Sequence, residues 1–230
     1  MIHQLIFAYP KPGMSEEEFH RYWLTEHAVR YAAKIPQIRQ YSVDTRVPVD
    51  GVEDPPLWLG AAEIWLANDE EQLASLQTDE FLNGARLDEP KWAAFWRTLV
   101  LDTDPETLLA GDPVDPQARE VKLFVLAKRR EGMPLAEFRR RSRLEHGPAA
   151  LGVPGLRRYV QGYTRDGLYT VGEAVLDVAY QFTFDDEPAL AEALASPEFR
   201  KAREDLETIA EPRYVHTFAA RQNWVLPPTI

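Results

Sequence analysis

The chain repeats itself, and one stretch shows this best. Residues 13–27 read GMSEEEFHRYWLTEH, and residues 132–146 read GMPLAEFRRRSRLEH, so Gly-Met, Glu-Phe, one Arg and Glu-His recur at a constant offset of 119. Further along the offset becomes 118, and the matches include Pro36 with Pro154, Tyr41 with Tyr159 and Glu80-Phe81 with Glu198-Phe199. Such evenly spread matches indicate two copies of one structural unit.

Each copy predicts the order strand, helix, strand, strand, helix, strand. The predicted strands are residues 2–9, 39–46, 57–66 and 98–102 in the first copy and 121–128, 157–164, 175–184 and 214–220 in the second. Helix starts are marked by Ser15 with Glu18, Asn68 with Glu71, and Ser196-Pro197-Glu198. This order is the ferredoxin-like βαββαβ pattern, which leaves one sheet face bare.

A bare, half-apolar sheet face must be covered, and tandem copies can cover each other. We therefore predict an α+β fold in which two ferredoxin-like units pack sheet to sheet as an intrachain dimeric α/β-barrel. The first unit is assigned to residues 1–104 and the second to residues 119–230, with an Asp- and Pro-rich linker at 105–118.

Composition narrows the class of protein. The 230 residues include no cysteine, which excludes disulfides, thiolate metal sites and cysteine nucleophiles. The net charge of −11 argues against nucleic acid or an anionic membrane as the partner. No apolar stretch reaches membrane-spanning length, and the first ten residues do not resemble a signal peptide, so we expect a cytoplasmic protein.

One basic cluster stands out, made up of Arg139, Arg140, Arg141 and Arg143. It is typical of either a phosphate-binding patch or a solvated helix face that meets the acidic first half or a second subunit, and the charge balance favours the second interpretation.

The repeated stretch resembles a known motif. Residues 19–27, together with Glu145-His146-Gly147-Pro148 and residues 154–159, are similar to the helix motif of the EthD family, a member of the dimeric α/β-barrel superfamily. The copies depart from that motif in different ways: Ala28-Val29 replaces its small residue and proline, and Ser142 replaces the tryptophan found as Trp23. We expect diverged copies with one better-formed pocket.

The motif histidines are the main catalytic candidates. His27 follows Trp23 by four residues, and His146 follows Phe138 by eight, so both share an apolar helix face. Each is either a general base or a structural cap, since Gly147-Pro148 is expected to end the second helix. We favour His146 as the base, near Tyr159, because the acidic first half should raise the pKa of His27 and make it an acid or a structural group.

The remaining candidates surround the predicted pocket. Tyr41 and Tyr159 are either hydrogen-bond donors to a developing oxyanion or core aromatics. Glu63 is a candidate buried carboxylate, although its counterpart Gln181 shows that the fold does not need this charge in both copies. The predicted substrate-binding residues are Trp23, Glu63, Tyr9, Lys128 and Arg157, and Lys122 is expected to add positive charge near His146.

The family resemblance implies small, often aromatic or polyketide-like substrates. The leading hypothesis is a cofactor-independent acid–base enzyme (lyase, cyclase, decarboxylase or isomerase), and the alternative is a non-catalytic small-molecule binding or accessory protein. No metal site or cofactor is predicted, because ligand spacings and glycine-rich phosphate loops are missing. Some relatives in the superfamily bind haem, but no histidine here is distinctive as an axial ligand. A homodimer of the duplicated chain is left open.

Overall fold

The computed structural model of the protein describes residues 1–52 and 55–228. Within these residues the strands are β1 (Ile2–Ala8), β2 (Gln40–Arg46), β3 (Gly60–Leu66), β4 (Leu99–Leu109), β5 (Val121–Arg129), β6 (Arg158–Thr164), β7 (Val178–Phe184) and β8 (Ala210–Leu226). The α-helical segments are α1 (Glu16–Tyr22), α2 (Ala28–Arg30), α3 (Asp69–Ser75), α4 (Arg86–Asp88), α5 (Leu135–Arg141), α6 (Gly147–Leu151), α7 (Glu187–Ala195) and α8 (Pro197–Ile209).

These strands hydrogen-bond in the order β1–β3–β2–β8–β5–β7–β6–β4 and form a closed antiparallel barrel. The predicted fold class, a dimeric α/β-barrel built from two ferredoxin-like copies, is confirmed. The described residues divide into two compact units: the first comprises residues 1–46, 55–102 and 220–228, and the second comprises residues 47–52 and 103–219.

In the first unit, β3 pairs with β1 and β2, and β2 pairs with the last part of β8. Representative partners are Ile6 with Ala62, Tyr41 with Ile64 and Arg46 with Ala220. The helix-facing side of this sheet belongs to a buried core that includes Phe19, Trp23, Tyr41, Ile64 and Trp92.

In the second unit, β7 pairs with β5 and β6, and the later part of β4 pairs with β6. Its core includes Phe138, Tyr159, Tyr180, Phe182 and Leu206. The helix starts follow the predicted signals: the Ser15 hydroxyl accepts from the Glu18 amide, and Asn68 and Ser196 cap α3 and α8 in the same manner.

The spacing predicts a continuous α-helix around each motif histidine, but in the structure neither helix is α-helical throughout. Residues Trp23–His27 and Ser142–His146 form one turn of π-helix, with the Ala28 amide donating to Trp23 and the Gly147 amide to Ser142, five residues back. The prediction that Gly147-Pro148 ends the second helix is also wrong. The helix continues as α6, because proline is tolerated in a first turn.

Several predicted strand boundaries differ from those in the structure. The third strands begin at Gly60 and Val178, three residues later than predicted, and β4 and β8 are much longer than residues 98–102 and 214–220. Residues 105–109 of the predicted linker lie in β4, where Pro105 to Leu109 pair with β6. The repeat boundaries at residues 104 and 119 stay a prediction, because the two compact units group residues by contact rather than by copy.

Candidate functional site

The first unit contains a cavity of about 110 Å³ between its sheet and its helices. The walls include aliphatic side chains from β1 and β3 and aromatic side chains from the helical segments. The polar or aromatic groups that reach this cavity include Trp23, His27, Tyr41, Glu89 and Trp92. The π-helical turn places Trp23 and His27 together on this wall, and π-helical turns are frequent at functional sites.

His27 is buried and oriented by a carboxylate. Its Nδ1 lies 3.0 Å from Oδ2 of Asp88, and its ring centroid lies 4.7 Å from that of Trp92. Burial lowers the pKa of His27, and the hydrogen bond to Asp88 opposes this only in part. The expected rise in its pKa is therefore wrong, since loss of water around the ring outweighs the surrounding acidity.

Asp88 is 1 % exposed and receives three donors. Besides His27, the Tyr22 hydroxyl donates to Oδ1 at 2.8 Å, and the Lys91 ammonium lies 3.1 Å from the same oxygen. Burial works to raise the pKa of Asp88, but these hydrogen bonds outweigh it and hold the pKa below its usual value. A carboxylate that stays ionised favours the His27 tautomer with the proton on Nδ1 and the lone pair on Nε2.

Two further polar groups line the same cavity. Burial raises the pKa of Glu89 to about 7, so this carboxyl carries a proton for much of the time near neutral pH. The hydroxyl of Tyr41 accepts a hydrogen bond of 3.2 Å from Trp23 Nε1, and burial keeps its proton in place by raising its pKa. The cavity therefore combines an oriented imidazole with two proton donors.

Glu63 is buried, as predicted, but it does not line this cavity. Its Oε2 lies 2.9 Å from His3 Nε2, and its Oε1 accepts a hydrogen bond of 3.1 Å from Gln222. The His3 ring stacks on Trp65 at 4.3 Å. Glu63 thus belongs to a buried polar network on the sheet, separate from the groups around His27. Tyr9 is also occupied elsewhere, because the Arg97 guanidinium lies 3.4 Å from its ring centroid.

The second unit contains a larger cavity of about 420 Å³. His146 lines it, and its Nδ1 lies 3.4 Å from Oδ2 of Asp205 in α8. The contact with His146 lowers the pKa of Asp205, with Arg141 contributing. The expectation that His146 caps a helix end is wrong, because α6 continues past it to Leu151.

Tyr159 is completely buried in the second core. Its hydroxyl accepts a hydrogen bond of 3.0 Å from Gln161, its ring packs on Phe182 at 4.5 Å, and burial raises its pKa. The aromatic side chain packed against the His146 ring is instead Tyr180, with centroids 4.8 Å apart. Tyr159 does not line the second cavity.

The cations expected beside His146 lie elsewhere. Lys128 is 2.8 Å from Glu173 and 3.3 Å from Asp177, and Arg157 forms an exposed pair with Asp185. Lys122 is buried with its side chain over the Phe124 ring. The reason is strand alternation: Val125 lines the second cavity from β5, whereas Lys122 and Lys128 do not.

The arginine cluster is paired with carboxylates, which fits a solvated helix face, but only one of the four partners, Glu106, lies in the acidic first half, residues 1–118. The partners are Asp166 for Arg139, Glu137 for Arg140, Glu145 for Arg141 and Glu106 for Arg143. These pairs neutralise the charge that a phosphate patch would need.

Two site residues were not found from the sequence. Asp88 and Glu89 lie in the helical region before Pro90, and Asp88 is 61 positions from its partner His27. A weak signal exists, since each motif histidine takes its carboxylate from the last helical region of its own copy. Asp205 plays that part for His146.

Across residues 1–52 and 55–228, the side chains include no cluster of three or more His, Cys, Asp or Glu suited to a metal ion. In the same residues, no helix has both the length and the apolar character needed to cross a membrane.

The sequence profile of the EthD domain matches residues 11–95 and again residues 130–213. These matches cover most of the chain and coincide with the two copies. The chain belongs to the EthD family. No curated protein is detectably similar to it in sequence.

Solved structures share the fold of this EthD-family chain. An anthrone oxidase-like protein superposes with a TM-score of 0.68 at 12 % identity, over 96 % of this chain and 90 % of that chain. A protein from Lactobacillus acidophilus NCFM, provisionally named a monooxygenase, gives 0.56 at 13 % identity over 100 % and 97 %. A protein provisionally named a chlorite dismutase gives 0.56 at 13 % identity over 96 % and 94 %. At such identities the similarity shows the fold alone.

Proposed function

We propose that this EthD-family protein is a cofactor-independent acid–base enzyme that acts on a small aromatic or polyketide-like carbonyl compound. His27 is the general base, and the cavity of the first unit is the active site. The observation that carries the proposal is the 3.0 Å contact between His27 Nδ1 and Asp88, in a cavity that also holds Glu89 and Tyr41. An imidazole oriented by a carboxylate is the usual arrangement for proton abstraction.

The proposed chemistry is an enolisation. His27 Nε2 removes a proton from the carbon next to a carbonyl group, and the electron pair of that C–H bond moves toward the carbonyl oxygen. The protonated Glu89 carboxyl then gives its proton to this oxygen, and the Tyr41 hydroxyl donates a hydrogen bond to it. In an isomerisation, the His27 imidazolium gives its proton to another carbon of the conjugated system while the Glu89 carboxylate takes back the enol proton. In a cyclisation, the enol carbon attacks a second carbonyl, the His27 imidazolium protonates the new alkoxide, and the Glu89 carboxylate takes back the enol proton.

Cavity size and lining support a compact, mainly apolar substrate. An apolar cavity of about 150 Å³ binds benzene in another protein, so this partly open space of about 110 Å³ encloses about one ring, such as the ring that carries the carbonyl group of a larger ketone. The neighbour named for anthrone oxidation suggests the same class of compound, since anthrones are aromatic ketones that lose a C–H proton on enolisation.

We place the base at His27 rather than at His146 for two reasons. The His146 contact with Asp205 is longer, at 3.4 Å, and Lys128 and Arg157, the cations expected to assist it, are paired elsewhere. The first cavity, in contrast, brings a histidine and further polar groups together. Convergence of polar groups in one cavity distinguishes an active site from a simple binding site.

The test is hydrogen–deuterium exchange of carbonyl compounds in D₂O, followed by proton NMR with 2-indanone and anthrone as probes. We expect the protein to accelerate loss of the C–H signal of 2-indanone, and His27→Gln to slow this by roughly 10²–10⁴-fold. His20→Gln is the matched control: His20 lies on the same helix but bonds the Leu59 carbonyl and does not line the cavity. Unchanged exchange in His27→Gln, or an equal loss in His20→Gln, would contradict the proposal.

The alternative is a binding or accessory protein that uses the same cavity. It is favoured by the apolar wall, which includes Ile35, Ile38, Ile64 and Leu66. In that case 2-indanone would quench the fluorescence of Trp23 and Trp92 without any accelerated exchange, and His27→Gln would bind it as well as the wild-type protein does.

The cytoplasmic location and the formation of a homodimer both stay proposals. A homodimer of the duplicated chain is supported by exposed apolar side chains in the first unit, such as Leu87, Phe95 and Trp96. Sedimentation velocity over a range of protein concentrations tests it, with Trp96→Ser expected to weaken the dimer. The net charge of −11 continues to argue against nucleic acid as a partner.

A further inference from the structure

The cavity of the second unit is built differently from the proposed active site. Its volume of about 420 Å³ lies within the range of small-molecule binding sites. Val125 and Phe182 line it from the sheet, and Leu194, Phe199 and Leu206 line it from α7 and α8. These walls would contact the body of an apolar or aromatic molecule of two or three rings.

One buried polar group interrupts this apolar wall. The His146 side chain is 3 % exposed. Its Nδ1 lies 3.4 Å from Asp205, and its Nε2 has no hydrogen-bond partner within the part of the chain that the structure describes. Buried polar groups almost always have a hydrogen-bond partner, because leaving one unpaired costs the full loss of hydration. A histidine in this state, lining a cavity large enough for a ligand, points to a partner that the ligand itself supplies.

The charge of the ligand follows from the charged side chains that line the cavity. Arg203 and Glu207 are the charged side chains among its described lining residues, and Arg203 Nε lies 3.5 Å from Glu207 Oε1. Their charges cancel, so the cavity has no net charge with which to select an ion. A neutral ligand fits it best.

The character of the hydrogen bond follows from Asp205. This carboxylate lies beside Nδ1 of His146, which favours the tautomer with the proton on that nitrogen and the lone pair on Nε2. Nε2 is then an acceptor. The ligand therefore needs a donor, and a hydroxyl group on an aromatic ring provides one without adding charge at neutral pH.

From these observations we infer that the second unit contains a separate binding site for a neutral, mainly aromatic molecule with one hydroxyl group, which donates a hydrogen bond to His146. This goes beyond the proposed active site, since it assigns a ligand to the other copy. The duplication would then have separated two roles, with turnover at His27 and binding of a larger phenolic molecule at His146.

Equilibrium dialysis with 2-naphthol and with naphthalene measures the contribution of the hydroxyl group directly. We expect the wild-type protein to bind 2-naphthol about tenfold more tightly than naphthalene, which is the usual value of one hydrogen bond. His146→Leu replaces the imidazole with an apolar side chain of similar size and so removes the acceptor. It should abolish this preference and leave the binding of naphthalene unchanged.

Two further variants identify the cavity and keep the test decisive if His146→Leu folds poorly. Ala202→Phe fills the space from α8, and it should weaken both probes by at least tenfold. His27→Leu is the matched control in the first unit and should leave both affinities unchanged. All six tryptophans lie in the first unit, so binding in the second unit should leave the emission of Trp23 and Trp92 unquenched.

The inference is overturned if the preference for 2-naphthol persists in His146→Leu, or if His27→Leu rather than Ala202→Phe weakens binding. It is overturned equally if the wild-type protein binds neither probe. None of these results alters the exchange activity at His27, so failure here and failure of the proposed enzyme are distinguishable.

Discussion

The Ser142 hydroxyl oxygen and the Tyr180 hydroxyl oxygen lie 2.7 Å apart in the core of the second unit. At the matching positions of the first copy the large residue is on the helix instead, since Trp23 corresponds to Ser142 and Ala62 corresponds to Tyr180. Ala62 and Trp23 both lie in the first core. The two copies therefore fill the same gap between helix and sheet from opposite sides. This exchange explains why the second copy folds without the tryptophan of the motif.

This swap of a large and a small residue between helix and sheet predicts a compensating pair of substitutions. Tyr180→Ala should lower the free energy of unfolding by about 3–5 kcal/mol, because it leaves a cavity. Ser142→Trp should also destabilise, by at least about 3 kcal/mol, because an indole adds far more volume to this buried site than a few methylenes would. The double variant should be more stable than the sum of these losses implies, since the indole occupies the space of the lost phenol. Urea denaturation of the four proteins gives the coupling energy, and strict additivity would contradict the interpretation.

Gly60 leaves space for the Trp23 side chain in the first copy. A Cβ at this position would lie 2.7 Å from Cζ3 of Trp23 and 3.3 Å from Cε1 of Phe19, both of which are buried side chains. Gly60→Ala should therefore cost about 1–3 kcal/mol of unfolding free energy. Gly84→Ala is the control, because its nearest neighbour, Tyr31, is 3.4 Å away and alanine favours helical backbone. A Gly60→Ala protein as stable as the wild type would show that Trp23 shifts freely.

Asp88 should affect the rate of proton transfer by holding the proton on Nδ1 of His27. Asp88→Asn keeps the size of the side chain but removes the charge that holds the Nδ1 proton, and we expect exchange of 2-indanone to slow by roughly 10²–10⁴-fold. Tyr22→Phe is the matched control, since it removes another hydrogen bond to Asp88 and leaves the contact with His27 intact. Tyr22→Phe should slow the exchange of 2-indanone by no more than about tenfold. An equal loss in both variants would assign Asp88 to stability rather than to positioning.

Local sequence patterns predict much of the fold, but they do not predict contacts between distant segments. Strands β1, β2, β5 and β6 and the caps at Ser15, Asn68 and Ser196 depend on neighbouring residues, so local patterns predicted them. The long ends of β4 and β8 depend on pairing with β6 and β2, which no local pattern reveals.

The site was less predictable for a similar reason. Helical spacing identified His27 and His146, but not the π-helical turns that contain them, because an α-helix and a π-helix can carry the same residues. Asp88 and Glu89 come from a distant helical segment. The pKa of His27 was predicted in the wrong direction because net charge is visible in a sequence whereas burial is not.

The rate of hydrogen–deuterium exchange of 2-indanone should depend on pH with a bell-shaped profile. His27 must be neutral to accept a proton, and burial lowers its pKa from the ordinary value of 6.5, so activity should fall only at pH values below that. Glu89 must be protonated to act as the acid, and its pKa of about 7 predicts a decline as the pH rises past neutrality. Glu89→Gln should lower the rate and remove the decline at high pH. If that decline persists in Glu89→Gln, another group is the acid.

Glu89 should also make stability depend on pH, whether or not the protein is an enzyme. Its pKa rises from 4.5 in the unfolded chain to about 7 in the folded protein, so the folded state holds the proton more tightly. This contribution is complete below about pH 4.5 and is lost as the pH rises through 7. Glu89→Gln cannot lose a proton, and its melting temperature should gain on that of the wild type between pH 5 and 8. Thermal unfolding at both pH values checks this, and a difference that does not change with pH would mean that the Glu89 carboxyl is hydrated in the folded protein.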